Sequence, residues 1–176
     1  RLVGEKGADL LPGAIADSFR FIGRRMNFLV LGSGHYNTER ELEGLLHQAS
    51  GDYNVYVGYN EALSHTIYAG SDFLLMPSRV EPCGLNQMYA MRYGTVPMVR
   101  RTGGLQDTVI DYEDPNGYGI CYVNASVGDI CNGVWRATEL YRDKKRMKTI
   151  RERMMQLDFD WKTSTQKYID VYSRLV

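Results

Sequence analysis

Short, almost wholly apolar runs alternate with amphipathic stretches from one end of this sequence to the other. That alternation limits the fold more than any other feature. Met26 to Leu31 (MNFLVL), Asn54 to Val57, Phe73 to Met76 (FLLM), Thr95 to Val99 (TVPMV) and Gly119 to Val123 read as strands. Runs without polar alternation belong to strands covered on both faces. Between them, Leu10 to Arg20 sets Leu10, Leu11, Ala14, Ile15 and Phe19 near helical spacing, with Pro12 near the start, where a missing N–H is tolerated. Thr38-Glu39-Arg40-Glu41 reads as a capping box ahead of Leu42, Leu45, Leu46 and Ala49. Glu61 to Ala69, Asn86 to Tyr93, Ser126 to Tyr141 and Asp143 to Leu157 read as further helices, the third with Val127, Ile130, Val134 and Tyr141 on one face. Strand-helix alternation of this kind predicts an α/β fold with a Rossmann-like, doubly wound parallel sheet. One element breaks the rhythm. A last helix from Asp160-Trp161, with Trp161, Tyr168, Ile169, Tyr172 and Leu175 on its apolar side, follows a helix directly. It is either ordinary packing or a reach toward another domain.

Composition narrows the function classes. A length of 176 residues suits one domain with a core that needs neither disulfides nor metals. Lys+Arg and Asp+Glu both number 21, so the formal charge is zero, which argues against nucleic acid or an anionic membrane as the main partner. A local cluster of cations inside a cleft stays compatible with that balance. Cys83, Cys121 and Cys131 are odd in number and form no CxxC pair, and His35, His47 and His65 are scattered. This suits a reducing compartment and offers no zinc or redox framework. No apolar run approaches the roughly 18 residues of a membrane span, and no signal peptide is visible. The chain opens at Arg1-Leu2 without methionine and is read as cut close upstream of its first motif.

In open α/β sheets ligands bind beyond the carboxyl ends of the strands. After Phe73 to Met76, the run PSRVEPCGLNQ places the carboxylate of Glu81 at a strand mouth and the amides of Cys83 to Gln87 at a helix start, where anions are favoured. After Thr95 to Val99, Thr102-Gly103-Gly104 opens a short helix as a possible phosphate or sugar cradle. Gly58-Tyr59 at a third mouth offers a ring that could stack on a base. Arg1 and Lys6 supply a guanidinium fork and a point charge suited to a diphosphate. Gly32-Ser33-Gly34 lacks the further glycine of a dinucleotide fingerprint, since Asn37 stands there. Taken singly, each feature has a plain structural reading: a solvated acid, a tight turn, a packed tyrosine, exposed cations. The basic run Arg142, Lys144, Lys145, Arg146, Lys148, Arg151 and Arg153 reads as a solvated helix face.

Together the motifs are specific. The ordered set RLVGEKG, GYN-x-x-LSH, AGSDFLLMPSRVEPCGLNQMYAMRYGTVP and RRTGGLQDTV, closed by DFDWKTSTQKYIDVYSRL, resembles the bacterial glycogen synthase and plant starch synthase family over essentially the whole chain. The resemblance implies a GT-B glycosyltransferase that moves glucose from ADP-glucose to the non-reducing end of an α-1,4-glucan with retention of configuration. It implies that residues 1–158 form the C-terminal, nucleotide-sugar-binding domain and that 159–176 form a helix crossing back to an N-terminal acceptor domain. That domain is absent here, so the chain would be inactive alone. By the same resemblance Arg1 and Lys6 bind the diphosphate in place of a metal, and no cofactor is required. Glu81 is the essential carboxylate beside the donor glucose. The amides near Cys83, Gly84, Leu85 and Asn86 contact sugar or distal phosphate. Tyr59, next to Gly58, stacks on adenine, and Thr102, Gly103 and Gly104 line the donor site. The implied location is cytoplasmic in a bacterium, or plastid in a plant. Two positions depart from related patterns. Tyr89 stands where sucrose- or trehalose-phosphate-type transferases carry a second Glu, and Asn86 where many bacterial members have Thr. The alternatives are such a transferase with another donor or acceptor, or a non-catalytic nucleotide-sugar or glucan-binding module. Retention of Arg1, Lys6 and Glu81 together counts against the module.

Overall fold

A computed structural model describes residues 1–175. Two 3-10 turns, Gly4–Lys6 and Ala8–Leu10, lead into α1 (Leu11–Phe21). There follow β1 (Phe28–Gly32), α2 (Tyr36–Gly44), β2 (Tyr53–Val57), α3 (Glu61–Gly70), β3 (Phe73–Met76), α4 (Asn86–Tyr93) and β4 (Val96–Arg100). The chain ends with α5 (Gly103–Thr108), β5 (Ile120–Tyr122), α6 (Val127–Arg142), α7 (Lys144–Met155) and α8 (Trp161–Tyr172). Every expected strand and helix is present, with ends shifted by a few residues at most.

All strand pairing is parallel, as the alternation required. The strands divide into two sheets, β1-β2 and β3-β4-β5, because no described strand joins β1 to β3. Val30 lies opposite Val55 in the first; Leu75, Met98 and Ile120 align across the second. The opening residues tie the carboxyl ends of the two sheets. Leu2 bridges Gly34 in the parallel sense and donates its N–H to Ser33 O at 2.8 Å. Three residues on, Glu5 O accepts the N–H groups of Arg79 and Val80. This short span therefore touches the mouths of both β1 and β3.

Of three apolar clusters among the described residues, one (Met76, Val99, Leu105, Val109 and Cys121) joins β3, β4 and β5 to α5, and the other two follow the two sheets. The larger gathers Val96, Met98, Ile120, Ile130, Leu140 and Ile150 from β4, β5, α6 and α7. The smaller gathers Ile15, Leu42, Leu45 and Tyr53 under β1-β2, and Phe28 packs against both. Beside the larger cluster lies a buried ion pair, Asp111 Oδ1 to Arg136 Nη2 at 2.6 Å. Burial raises the Asp111 pKa, but Arg136 and the amides of Cys121 and Glu113 outweigh it, and the net shift is downward.

Several local expectations are corrected. Helix α2 begins at Tyr36, so Thr38 is buried within its first turn rather than capping it. Glu39 reaches back to the Gly34 N–H at 2.6 Å. On α6 the buried face continues through Ala137 and Leu140, not Tyr141. Tyr141 is exposed and lies under the Lys144 ammonium. The basic run on α7 is only partly a solvated face: Arg151 pairs with Asp72 at 2.6 Å, Arg153 donates to Gly117 O, and Arg146 donates to Tyr112 O. Helix α8 exposes Trp161, Tyr168, Ile169 and Tyr172 to solvent, so its aromatic side is not ordinary packing within this chain.

Candidate active site

Strand β3 ends at Met76, and the loop beyond it turns Glu81 back over the strand mouth. Both carboxylate oxygens are held. Oε1 takes the Lys6 ammonium at 2.7 Å and Oε2 accepts from Ser78 Oγ at 3.0 Å. The side chains of Lys6 and Glu81 are 27% and 11% exposed, so the pair sits largely out of water. A carboxylate fixed at both oxygens has a set orientation and cannot swing to solvent, which is what a group facing a reacting centre needs.

The Glu81 loop is clamped from the neighbouring strand. Arg100, at the end of β4, donates Nε to Ser78 O at 2.7 Å and Nη2 to Arg79 O at 2.5 Å. The Thr102-Gly103-Gly104 turn packs flat against the same loop, and the Gly104 N–H meets the carbonyls of Glu81 and Pro82, each at 3.1 Å. Gly103 has φ +44, and a Cβ there would lie 2.2 Å from Glu81 O; one on Gly104 would lie 2.0 Å from Cys83 O. The two glycines thus serve the carboxylate's backbone directly, whatever else the turn contacts. Beneath them the wholly buried Gln87 donates Nε2 to Gly84 O and to Thr108 Oγ1, each at 3.1 Å. Sequence reasoning gave Arg100 and Gln87 no such part. A long polar side chain at a strand end or in the first turn of a helix was the only signal, and it is a weak one.

Lys6 is held by its own turn. Gly7 is left-handed (φ +67) and packs so closely on Pro77 that a Cβ would come within 2.1 Å of its carbonyl oxygen. Arg79 then crosses to Asp9 in a two-pronged pair of 2.6 and 2.8 Å and donates to Gly4 O. The Arg79 guanidinium holds the Asp9 carboxyl below its ordinary range. Arg1 is exposed at the start of the same segment. The structure therefore brings Lys6, Glu81, Gly103 and Gly104 into one assembly. Cys83, Leu85 and Asn86 lie exposed at the amino end of α4, and half-buried Gly84 and Thr102 lie within the clamp.

Tyr59 stands at the mouth of β2, where the Gly58 N–H pairs with Gly32 O. Its ring is 84% exposed and its hydroxyl donates to Glu61 Oε2 at 3.2 Å. The Glu61 charge, and then that bond, push the phenol pKa up. Asn60 caps α3 through Leu63 N. At the neighbouring β1 mouth an open cavity of about 430 Å³ is bounded by Gly4, Asp9, His35, Tyr36, Asn37 and Thr38. It shares the Gly4–Asp9 segment with the site but does not include Lys6, Glu81 or Tyr59. Sequence reasoning left His35 to Thr38 as a plain helix start.

This constellation can be placed among known proteins. Residues 1–154 match the family described as glycosyl transferases group 1. The chain belongs to that family. Group 1 glycosyl transferases related to it include the glycogen synthase of Flavobacterium johnsoniae, 55% identical over all of this chain and 37% of that protein. The glycogen synthase of Rhodospirillum rubrum is 44% identical over all of this chain and 36% of its own length. Among solved structures, the catalytic domain of starch synthase IV from Arabidopsis thaliana, bound to ADP and acarbose, superposes with a TM-score of 0.86 at 38% identity. That match covers 99% of this chain and 36% of that one. A sucrose-phosphate synthase from Thermosynechococcus elongatus shares the fold at a TM-score of 0.69 and 24% identity. The fold of this chain is therefore that of a Rossmann-like GT-B domain. It spans little more than a third of the curated relatives it matches.

Proposed function

We propose that the chain is the donor-binding part of a glycogen or starch synthase that transfers glucose from ADP-glucose to the non-reducing end of an α-1,4-glucan with retention. The observation that carries this reading is the Lys6–Glu81 pair, held at a strand mouth by a glycine turn that admits no side chain. Relatives at 55% and 44% identity bear the name glycogen synthase, and a solved neighbour holds ADP, which supports the choice of donor.

The chemistry follows from the residues. Cleaving a sugar–diphosphate bond places negative charge on the departing diphosphate and positive charge on the sugar. Lys6 and Arg1 would take the first, acting as fixed cations without a metal. Glu81 would accept hydrogen bonds from donor hydroxyls and stabilise the second. Tyr59 would stack on adenine, while the amides at Cys83 to Asn86 and the turn at Thr102 would meet sugar and phosphate. The exposed side of α8 would meet a further domain that carries the acceptor, in a cytoplasmic enzyme. With Lys6 already paired to Glu81, an incoming diphosphate must compete for the ammonium.

Replacing the matching segment of the Flavobacterium johnsoniae synthase with this chain tests the reading. The chimera should elongate glycogen from ADP-glucose. Glu81→Gln in it should lower kcat by about 100-fold or more, in line with losing a main electrostatic group. The same change should tighten ADP binding a few-fold, because Lys6 is released. A chimera that elongates glycogen equally well with Gln at this position would remove Glu81 from the chemistry.

A further inference from the structure

Lys6 and Glu81 come from different halves of the molecule. Lys6 lies on the opening segment, whose Leu2 and Ala8 are buried in the cluster under β1-β2. Glu81 lies beyond β3, a strand of the other sheet, and no described strand pairing joins the two. The setting of one half against the other therefore decides where the ammonium stands relative to the carboxylate. One side chain spans that junction. Arg79, two residues before Glu81, sends its guanidinium back to the opening segment. There Nη1 and Nη2 reach Asp9 Oδ1 and Oδ2 at 2.6 and 2.8 Å, and Nη1 also donates to Gly4 O at 2.6 Å. The N–H groups of Arg79 and Val80 donate to Glu5 O at 2.8 and 3.1 Å. Arg79 thus grips both flanks of Lys6, Gly4 and Glu5 before it and Asp9 after it. Its carbonyl is held in turn by Arg100 Nη2 from β4.

Fold stability gives little reason for so complete a contact. The Arg79 and Asp9 side chains are 37% and 46% exposed, and an ion pair that open to water adds little to folding. A two-pronged guanidinium–carboxylate contact does fix direction as well as distance. Asp9 also borders the open cavity at the β1 mouth, so the pair stands beside the site and outside the core. What it fixes is the Gly4–Lys6 turn against the loop that carries Glu81. The 2.7 Å contact between Lys6 and Glu81 cannot do this by itself, because a diphosphate that draws the ammonium away breaks it. Displacing groups at a reacting centre costs far more in rate than in stability.

We infer that Asp9 and Arg79 form a positioning pair for the transfer reaction, an inference that rests on the synthase reading above. The pair acts through Lys6 and Glu81. It holds the two at the spacing where one takes the charge of the departing diphosphate while the other faces the sugar.

A double-mutant cycle in the synthase chimera tests the pair. Asp9→Asn keeps the shape of the side chain and removes its charge, Arg79→Gln removes the fork, and Arg79→Lys keeps a cation without one. Asp9→Asn and Arg79→Gln should each lower kcat by about tenfold or more. KM for ADP-glucose should stay within about threefold, because the interaction lost is realised in the transition state. The double variant should be no slower than the slower single, since both changes undo one contact, and Arg79→Lys should be faster than Arg79→Gln. Each variant should melt within about 2 °C of the parent. As a control, Arg24→Gln breaks another exposed pair, with Asp52 just ahead of β2 at 3.0 Å, and should leave kcat unchanged. A kcat within about twofold of the parent in both singles overturns the proposal. So does a raised KM at unchanged kcat, which makes the pair an element of donor binding alone. Losses that multiply in the double variant overturn it by making the two residues independent, and a kcat that falls only as Tm falls assigns the pair to stability. A parent chimera that does not elongate glycogen from ADP-glucose overturns the synthase reading, and the role of the pair in transfer with it.

Discussion

Among single residues, those that matter most here act through atoms they lack or through charges they cannot share. Gly104 touches the Cys83 carbonyl so closely that Gly104→Ala must push the Glu81 loop away. Overpacking of this kind costs about 1–3 kcal/mol, and thermal melting should show Tm lower by several degrees, with ADP binding weakened in parallel. Asp111 tests a different residue-scale effect. Its folded pKa lies below the unfolded value of about 3.9, so its stabilisation is complete above about pH 4 and is lost as pH falls through the folded value. Urea unfolding should therefore show an acid loss of stability that Asp111→Asn removes. At pH 7, Asp111→Ala should cost about 1–3 kcal/mol, because Arg136 loses the shorter of its two carboxylate partners and the Cys121 N–H its acceptor, while Glu113 stays within 3.2 Å of the guanidinium. The sequence displays Glu81, Lys6 and the Thr-Gly-Gly turn openly, since their types and order are distinctive. It does not display the Arg100 clamp or the Gln87 brace, whose partners are backbone carbonyls at 21 or 22 positions and at three positions away, chosen by packing.

Among elements, the same contrast separates periodicity from partnership. The apolar strands and the helices at Asn86 to Tyr93 and Val127 to Arg142 are legible because hydrophobic spacing reports burial; β4 and β5 are buried along almost their whole length, whereas β1 and β2 leave Leu29 and Tyr56 exposed despite their apolar runs. Helix α2 was misjudged at its start. Its first-turn contact runs from Glu39 to Gly34, and Thr38, a cap by sequence pattern, is buried inside the first turn. Helix α8 shows the limit of pattern alone: an apolar side was evident, but not whether anything in the chain covers it. Its exposed ring of Trp161, Tyr168 and Tyr172 contributes little to this domain. Removing residues 159–176 should shift Tm by less than about 2 °C, well under 1 kcal/mol. It should also reduce self-association at high concentration, because a solvent-facing aromatic stripe is adhesive. Scanning calorimetry and sedimentation velocity check both outcomes.

For the whole molecule, zero net charge conceals a local gathering of charges. Arg1, Lys6, Arg79 and Arg100 meet where the opening segment ties the mouths of β1 and β3, with Lys6 paired there to Glu81 and Arg79 to Asp9. Raising NaCl from about 50 to 500 mM should weaken ADP binding several-fold by screening those partly exposed charges, with only a small change in Tm, and isothermal titration at matched pH measures it. The sequence by itself determined the parallel α/β class, the order of its elements and which side chains could serve a diphosphate and a sugar, because spacing and residue type are local properties. Only the tertiary structure decided that the strands lie in two sheets bridged by Leu2 and Glu5, that Lys6 rests on Glu81, and that Tyr93, Asp72 and Arg151 enclose a second cavity. Those contacts join positions from about twenty to nearly eighty residues apart. No periodicity encodes such a meeting; it follows from how elements pack once their apolar faces are buried together.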